Sequence, residues 1–365
     1  MKSISEIIGG SQALLEVRFE LQTCFEESLT RDQKTLLQAL RVIEGTMPPV
    51  SHRKAPTGRP AYPIMPYIRS LFVKSIFQIE KTKTLRQRLI SEPNLRLLCG
   101  FQKVPSESAF SRAYAFLSAG NILEVAHQRL VEKAYEHKTV YQVCRDSSAI
   151  AAREKAVKPA VKEKKPHGKR GRPAKNAIKP EKEPPVLEKQ IQQDAAACLE
   201  EISKACAWGC KINSQGNVHA WKGYKLHMDV SDIGIPLTAV VTAANVHDSR
   251  LAIPMEKLTE QRVLSFYSLM DSAYDAKAID AFIRSRGRIQ IIDPNRRNGK
   301  GRAPLEGAKK ERYKIRTAVE RAYSHLKDHL LPKNIYVKGH KKISLFLMSA
   351  VICFSALKYL QIFIC

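Results

Sequence analysis

The pattern of the chain changes at His137, and that change limits the folds open to it. Before this point apolar residues recur at helical intervals: Leu36, Leu37, Leu40 and Ile43 in "QKTLLQALRVIE", then Ile68, Leu71, Phe72 and Ile76 in "YIRSLFVKSIFQIE". "TKTLRQRLI" continues the pattern. "SEPNLRLLCG" predicts a short helix with Ser91 at its start and Gly100 at its end, and "VPSESAFSRAYAFLSAG" one entered at Pro105-Ser106 and stopped by Gly120. "ILEVAHQRLVEKAYE" closes the run. After His137, "TVYQVCRDSSAI", "HAWKGYKLHMDVSD", "IPLTAVVTAAN", "VLSFYSLMD" and "RIQIIDP" read as strands, with helical text in "DSRLAIPMEKLTE" and "DAKAIDAFIRSR" between the later ones. Strands first, then strand–helix alternation, predict an α/β layer with a mixed sheet over residues 138–365. An all-helical N-terminal domain over 1–137 precedes it, suited to contacting DNA, to dimerising, or to a purely structural cap.

One segment fits neither block. Residues 153–185 hold twelve Lys or Arg, four Glu and six Pro, a net charge of +8 that cannot bury a core and predicts disorder. Within it "KRGRPAKN" places Arg170 and Arg172 around a glycine. The motif resembles an AT-hook, which slides into a narrow A·T minor groove; a generic basic linker is the alternative. Residues 186–207 then read as a helix that returns the chain to the sheet.

The whole chain carries a formal charge of +26, which calls for a polyanionic partner, nucleic acid before an acidic membrane surface. The opening "MKSISEIIGG" lacks the apolar run of a signal peptide, and the eight cysteines follow no pairing scheme, so reduced thiols and a cytoplasmic, nucleoid-associated location are expected. Cys206-x3-Cys210 with His219 nearby is not a standard zinc pattern. The apolar tail has an uncharged run over 343–357, too short to span a bilayer, so a buried terminal helix and no membrane are expected.

Two strand ends carry carboxylates beside small or hydroxyl residues: Asp146 in "YQVCRDSS" and Asp271 in "FYSLMDSAYD". Each alone reads as a turn or helix cap. Glu320 follows the last strand in "YKIRTAVERAYSHLK", where Tyr313, Arg316, Glu320 and Lys327 fall within an arc of roughly 60° on a helix. Ile315, Val319, Ala322 and Leu326 fill the opposite face. The polar face is either a solvated one, with Arg316 pairing Glu320 at i,i+4, or part of a site. Three carboxylates from two strands and a helix can hold two Mg²⁺ ions about 3.5–4 Å apart, a pair that drives in-line attack at phosphorus. Asp229 and Asp275 lie close enough in sequence to compete as ligands. Trp208 and Trp221 are candidates to stack on a flipped base or to pack internally, and His247-Asp248 reads as a helix cap.

This constellation resembles the DDE transposases of bacterial insertion sequences. Tyr313-x2-Arg316-x3-Glu320-x6-Lys327 matches the signature of one subgroup, and Asp271-Ser272-Ala273-Tyr274 and Asp146-Ser147-Ser148 fit its aspartate positions. "HAWKGYKLHMDV", "AANVHDSR", "GRPAYPIMPYIRSLF" and "VPSESAFSR" extend the likeness over residues 55–358. The resemblance implies an RNase H-like fold, with Asp146, Asp271 and Glu320 as catalytic ligands of two Mg²⁺ or Mn²⁺ ions. It also implies that Tyr313, Arg316 and Lys327 contact double-stranded DNA, both element ends and target, with the protein a homodimer on DNA. The long basic stretch that sets Asp146 and Asp271 125 positions apart departs from the pattern. A DNA-binding descendant without catalysis and an RNase H-like nuclease without joining activity are the competing readings.

Overall fold

The computed structural model describes residues 28–50, 63–136, 138–157, 184–212, 215–293 and 304–364; Arg170 and Arg172, and with them the AT-hook reading, lie outside these. The helical text before His137 forms α1 (Arg31–Glu44), α2 (Met65–Ile76), α3 (Thr82–Ser91), α4 (Pro93–Cys99), α5 (Glu107–Ala119) and α6 (Ile122–Ala134). Their ends have local causes. Thr30 and Gln33 form a reciprocal capping box at α1, and Ser106 accepts from the Ala109 amide at α5. Ser91 closes α3 instead of opening α4, because Pro93 sets the start of α4; Gly100, at φ 82°, ends it.

The second half is a six-stranded mixed sheet: β1 (Val140–Ala151), β2 (Ala207–Ile212), β3 (Val218–Ser231), β4 (Pro236–Ala243), β5 (Ser265–Met270) and β6 (Ile289–Ile292). Strand order runs β2-β3-β1-β5-β6, with β4 also paired to β3. β1, β5 and β6 are parallel, whereas β3 is antiparallel to β1, β2 and β4. With helices on both faces, among them α10 (Lys277–Ser285) between β5 and β6, this is the RNase H-like α/β arrangement, and β1 lies at its centre.

The two faces of β1 differ in chemistry. Cys144 packs in the main core beside Leu226, Met228 and Leu269, under α12 (Thr317–His325) and the turn that joins it to α11 (Gly307–Tyr313). Arg145 points the other way, toward α9 (Ala252–Glu260). There it forks onto Asp229 with two 2.7 Å contacts, reaches Glu256 at 2.9 Å and donates to the Ala252 carbonyl at 2.8 Å. Arg288 takes the other Glu256 oxygen at 2.7 Å, and Thr259 and Ser268 satisfy remaining lone pairs. Two guanidiniums thus balance two carboxylates, all buried. Burial alone would raise the Glu256 carboxyl, but Arg145 and Arg288 hold it below the usual range.

Two segments depart from the sequence reading. Residues 186–207 form no single helix: α7 (Val186–Gln192) breaks at Gln193, and Asp194 caps α8 (Ala195–Glu200) by accepting from the Ala197 amide. The chain then enters β2, a strand the alternation did not reveal. The start of the basic segment is also tied down. Glu154 accepts from the Tyr224 hydroxyl and the Gly339 amide, and the Val157 amide donates to the Cys206 carbonyl.

The helix α13 (His340–Phe363) lies against α1, α2, α5, α6 and β4. It is long and apolar enough to cross a membrane, yet most of it is buried inside the protein. A helix apolar on all sides is what a position between two layers requires. His127 of α6 is buried beside it, its Nε2 within 3.1 Å of the Pro236 carbonyl and 3.2 Å of Ser355 Oγ. Burial and the neighbouring Arg262 guanidinium push this imidazole down to about 3. A depressed folded value means the unfolded chain takes up the proton first. Stability from this group is therefore full above about pH 6.5 and lost as pH falls below it. At pH 5 the loss is roughly 2 kcal/mol. Urea unfolding of His127→Gln between pH 7 and 5 should show a smaller pH slope than the parent; an equal slope would remove His127 as the cause.

Candidate active site

The parallel pairing of Cys144 with Leu269 settles where the two aspartates fall. Only Asp271 follows the end of a strand; Asp146 is mid-strand, because pairing with β3 carries β1 on to Ala151. Two residues beyond Cys144 and Leu269, Asp146 and Asp271 come level on adjacent strands, which lie about 4.8 Å apart. Both point to the α12 side, since side chains alternate along a strand. Each carboxylate also has a local backbone partner: Asp146 accepts from the Ser147 amide at 2.7 Å, and Asp271 from the Ala273 amide at 3.0 Å, capping the turn Ser272–Tyr274. The cap reading of Asp271 is therefore correct as far as it goes, and it leaves the second oxygen free of that contact.

Three contacts from two side chains fix α12 and the turn before it over this pair. Tyr323 donates its hydroxyl to the carbonyls of Asp146 (2.9 Å) and Leu226 (2.8 Å), and Cys144 Sγ donates to the Ile315 carbonyl at 3.4 Å. Arg316 then reaches Asp146 Oδ2 at 3.5 Å with one nitrogen and Glu320 with another. The three carboxylates predicted from sequence thus come to one end of the sheet, with Arg316 bridging the first and the third. Val319, Ala322 and Leu326 are buried on the opposite face and Ile315 is half-buried.

The single helix predicted over 313–327 does not form as one unit. α11 ends at Tyr313, a tight 3₁₀ turn covers Lys314–Arg316, α12 follows, and Leu326–Leu330 is a π turn. Arg316 and Glu320 keep their i,i+4 pairing across the change. Tyr313 is half-buried under the Arg316 guanidinium, 5.8 Å from the ring centre, and burial pushes its phenol up to about 12, so it remains a donor. Lys327 sits in the π turn; partial desolvation of its ammonium and the charge of Lys211 hold it below its ordinary value.

Burial pushes the Asp146 carboxyl up to about 6; Asp271 adds to the rise, while Lys211 and Arg316 pull against it. Asp271 is raised by burial and by Asp248. Two neighbouring carboxylates held above their ordinary range, all-oxygen in their donors, suit a hard divalent cation such as Mg²⁺ or Mn²⁺. Glu320 fits less directly. Among the described residues no three His, Cys, Asp or Glu side chains converge on one point, because Glu320 is drawn onto Arg316.

Other candidates separate cleanly. Asp229 belongs to the Arg145 network on the far face and is not part of this group. His247 caps the turn Asp248–Leu251, its Nδ1 accepting from the Ser249 amide. Asp248 accepts from Lys225 at 2.9 Å and lies within the field of Asp271. Trp221 is buried and donates to the Tyr224 carbonyl, whereas Trp208 is 62 % exposed. Sequence reasoning missed Lys211 and Tyr323. The first sits on the unforeseen β2; the second is marked only by its place three residues after Glu320.

Residues 192–355 match the family model described as Transposase DDE domain, and residues 24–115 match that described as Transposase domain (DUF772). No curated protein and no solved structure matches the chain. The first match takes in Asp271 and Glu320 but begins after Asp146.

Proposed function

Because the chain belongs to the DDE transposases of insertion sequences, we propose that Asp146, Asp271 and Glu320 are its catalytic carboxylates and that it cuts and joins DNA at the ends of an element. The observation that carries this reading is the level placement of Asp146 and Asp271 on parallel strands, with Glu320 linked to Asp146 through one guanidinium.

Asp146 and Asp271 would hold divalent metal, two ions in this reading, and Glu320 would complete the set once Arg316 releases it. Bound there, such ions supply the acidity that activates a water or a 3′-hydroxyl and eases departure of the leaving oxygen. The remaining steps belong to the protein. Arg316, freed from the carboxylates, has a planar fork for a DNA phosphate. Tyr313 stays protonated and can donate to a phosphate, and Lys327 offers a point charge to the backbone. Tyr323 keeps α12 in register with β1 throughout. Double-stranded DNA is the substrate, two element ends call for two such sites on a homodimer, and residues 1–137 would serve DNA contact or dimerisation. Arg170 and Arg172 would add minor-groove contacts.

Incubating the protein with end-bearing DNA and Mg²⁺ tests the reading. Joined products support it; hydrolysis alone would make it a nuclease, and binding without cutting would make the site silent. Arg316→Lys keeps the charge and loses the fork, so cleavage should slow on the order of 10- to 100-fold. Thermal stability should barely change. Unchanged cleavage in Arg316→Lys would return this helix face to a solvated role.

A further inference from the structure

The loop that joins the π turn after α12 to α13 is tied to the body of the protein by two carboxylates. Glu80, just before α3, accepts from the backbone and side-chain amides of Asn334 at 3.1 Å and 3.0 Å, both on one oxygen. Glu154, just after β1, accepts from the Gly339 amide at 3.0 Å and, with its other oxygen, from the Tyr224 hydroxyl. Both acids are thus engaged by neutral donors. Each has a cation as its chain neighbour, and both cations lie against one ring of the loop. Lys81 Nζ is 4.5 Å and the Arg153 guanidinium carbon 4.4 Å from the centre of the half-buried Tyr336 ring.

The two charges are therefore within about 9 Å of each other and repel. Neither has an ion pair among the described residues, and an exposed aromatic face holds a cation only modestly. Lys333, Lys338 and Lys341, on or beside the same loop, are exposed as well. The loop also has a defined place relative to the carboxylates. Ile150 and Ala152 continue the face of β1 that carries Cys144 and Asp146, and they share the main core with Leu331 and Ile335 of the loop. It therefore lies on the α12 side of the sheet, past the carboxylates in the direction of β1. Arg153 follows Asp146 by seven residues, or roughly 20 Å of extended chain.

We propose that the loop over 331–339, with Lys81 and Arg153, is a second seat for the backbone of bound duplex DNA. The inference rests on the transposase reading above and adds a surface remote from the carboxylates and from Tyr313, Arg316 and Lys327. Closely set cations with no carboxylate left to answer them suit a partner charged at short regular intervals. DNA carries one negative charge per about 3.4 Å of each strand, so the seat would meet the duplex about six base pairs from the cleavage position.

Binding of an end-bearing duplex, measured against salt without Mg²⁺, tests this in the parent and in the Lys81→Ala/Arg153→Ala double variant. Loss of two phosphate contacts should lower the salt slope by about two units and weaken binding on the order of 10- to 100-fold at about 0.1 M salt. The charge-keeping Lys81→Arg/Arg153→Lys pair should retain most of the slope. Melting temperatures should stay close to the parent's, because both side chains are exposed. Duplexes trimmed from one side at a time locate the contact. Trimming one side to about three base pairs from the cut should weaken the parent and leave Lys81→Ala/Arg153→Ala unaffected. An unchanged salt slope in that double variant overturns the seat, as does a loss of affinity that remains in full on duplexes trimmed from both sides. A parent protein that binds without cutting overturns the catalytic reading alone, and the salt slope still decides the seat.

Discussion

Asp146→Asn is expected to abolish strand cleavage while making the metal-free protein more stable. The two effects share one cause. Folding places Asp146 beside Asp271 in a buried position, and its carboxyl is pushed from 3.8 up to about 6. A raised acid favours the protonated form in the fold, so this term stabilises fully below about pH 4 and is lost as pH rises through 6. At pH 7 ionising the group in the fold costs roughly 3 kcal/mol. Asparagine copies the protonated shape without that cost, and the melting temperature should rise by several degrees. The gain should vanish near pH 4, where the parent is itself protonated. Cleavage should fall to background, because an amide is a poor ligand for a hard cation. Asp271→Asn should behave alike in direction, since its carboxyl is also raised. Glu320→Ala should lose cleavage with little change in stability, as its side chain is half exposed. Full cleavage in Asp146→Asn would remove Asp146 from the site; a lower melting temperature at pH 7 would contradict the electrostatic account.

Arg145→Ala should be the most damaging single change near the site, costing about 3–5 kcal/mol. It removes one guanidinium from a balanced group of four and leaves Asp229 and Glu256 buried with only Arg288 to answer them. Chemical denaturation of Arg145→Ala, Asp229→Ala and the double variant measures the coupling directly. The double variant should lose much less than the sum of the singles. Arg145 adjoins Asp146 on β1, so cleavage should fall along with stability. Strictly additive losses would mean the network is a set of independent contacts.

How far the sequence exposes this site depends on what each residue needs. Asp271 is legible because it ends an apolar strand, and Glu320 because its helix carries a one-sided polar row. Asp146 stands out after an apolar run, although the strand does not end there but continues to Ala151. Their meeting needs the β1–β5 register, which no local pattern encodes. The Arg145 network is invisible for the same reason: Asp229, Glu256 and Arg288 become neighbours only across strands and α9. β2 escapes notice because "AWGCKI" is short, holds a glycine and a lysine, and follows helical text. The row over 313–327 is read correctly for Arg316 and Glu320 at four residues' spacing. It fails over the longer run because a 3₁₀ turn and a π turn alter the period, and side-chain pattern alone does not register either. The family match beginning at residue 192 shows the same limit. Asp146 lies upstream of the basic segment, and only strand pairing returns it to the site.

The position of α13 sets the order in which the protein can be completed. Its residues from Ile343 to Ala356 lie in the same core as Leu36, Leu40, Ile68 and Leu71 from α1 and α2. Those first helices leave the ribosome on the order of tens of seconds before α13 at ordinary rates of synthesis. Through that interval α1 and α2 can pack on each other and on α4, α5 and α6, but the part of their apolar surface that α13 covers stays open. The nascent chain therefore carries an open apolar groove until α13 emerges, and that groove is where wrong contacts can form during translation.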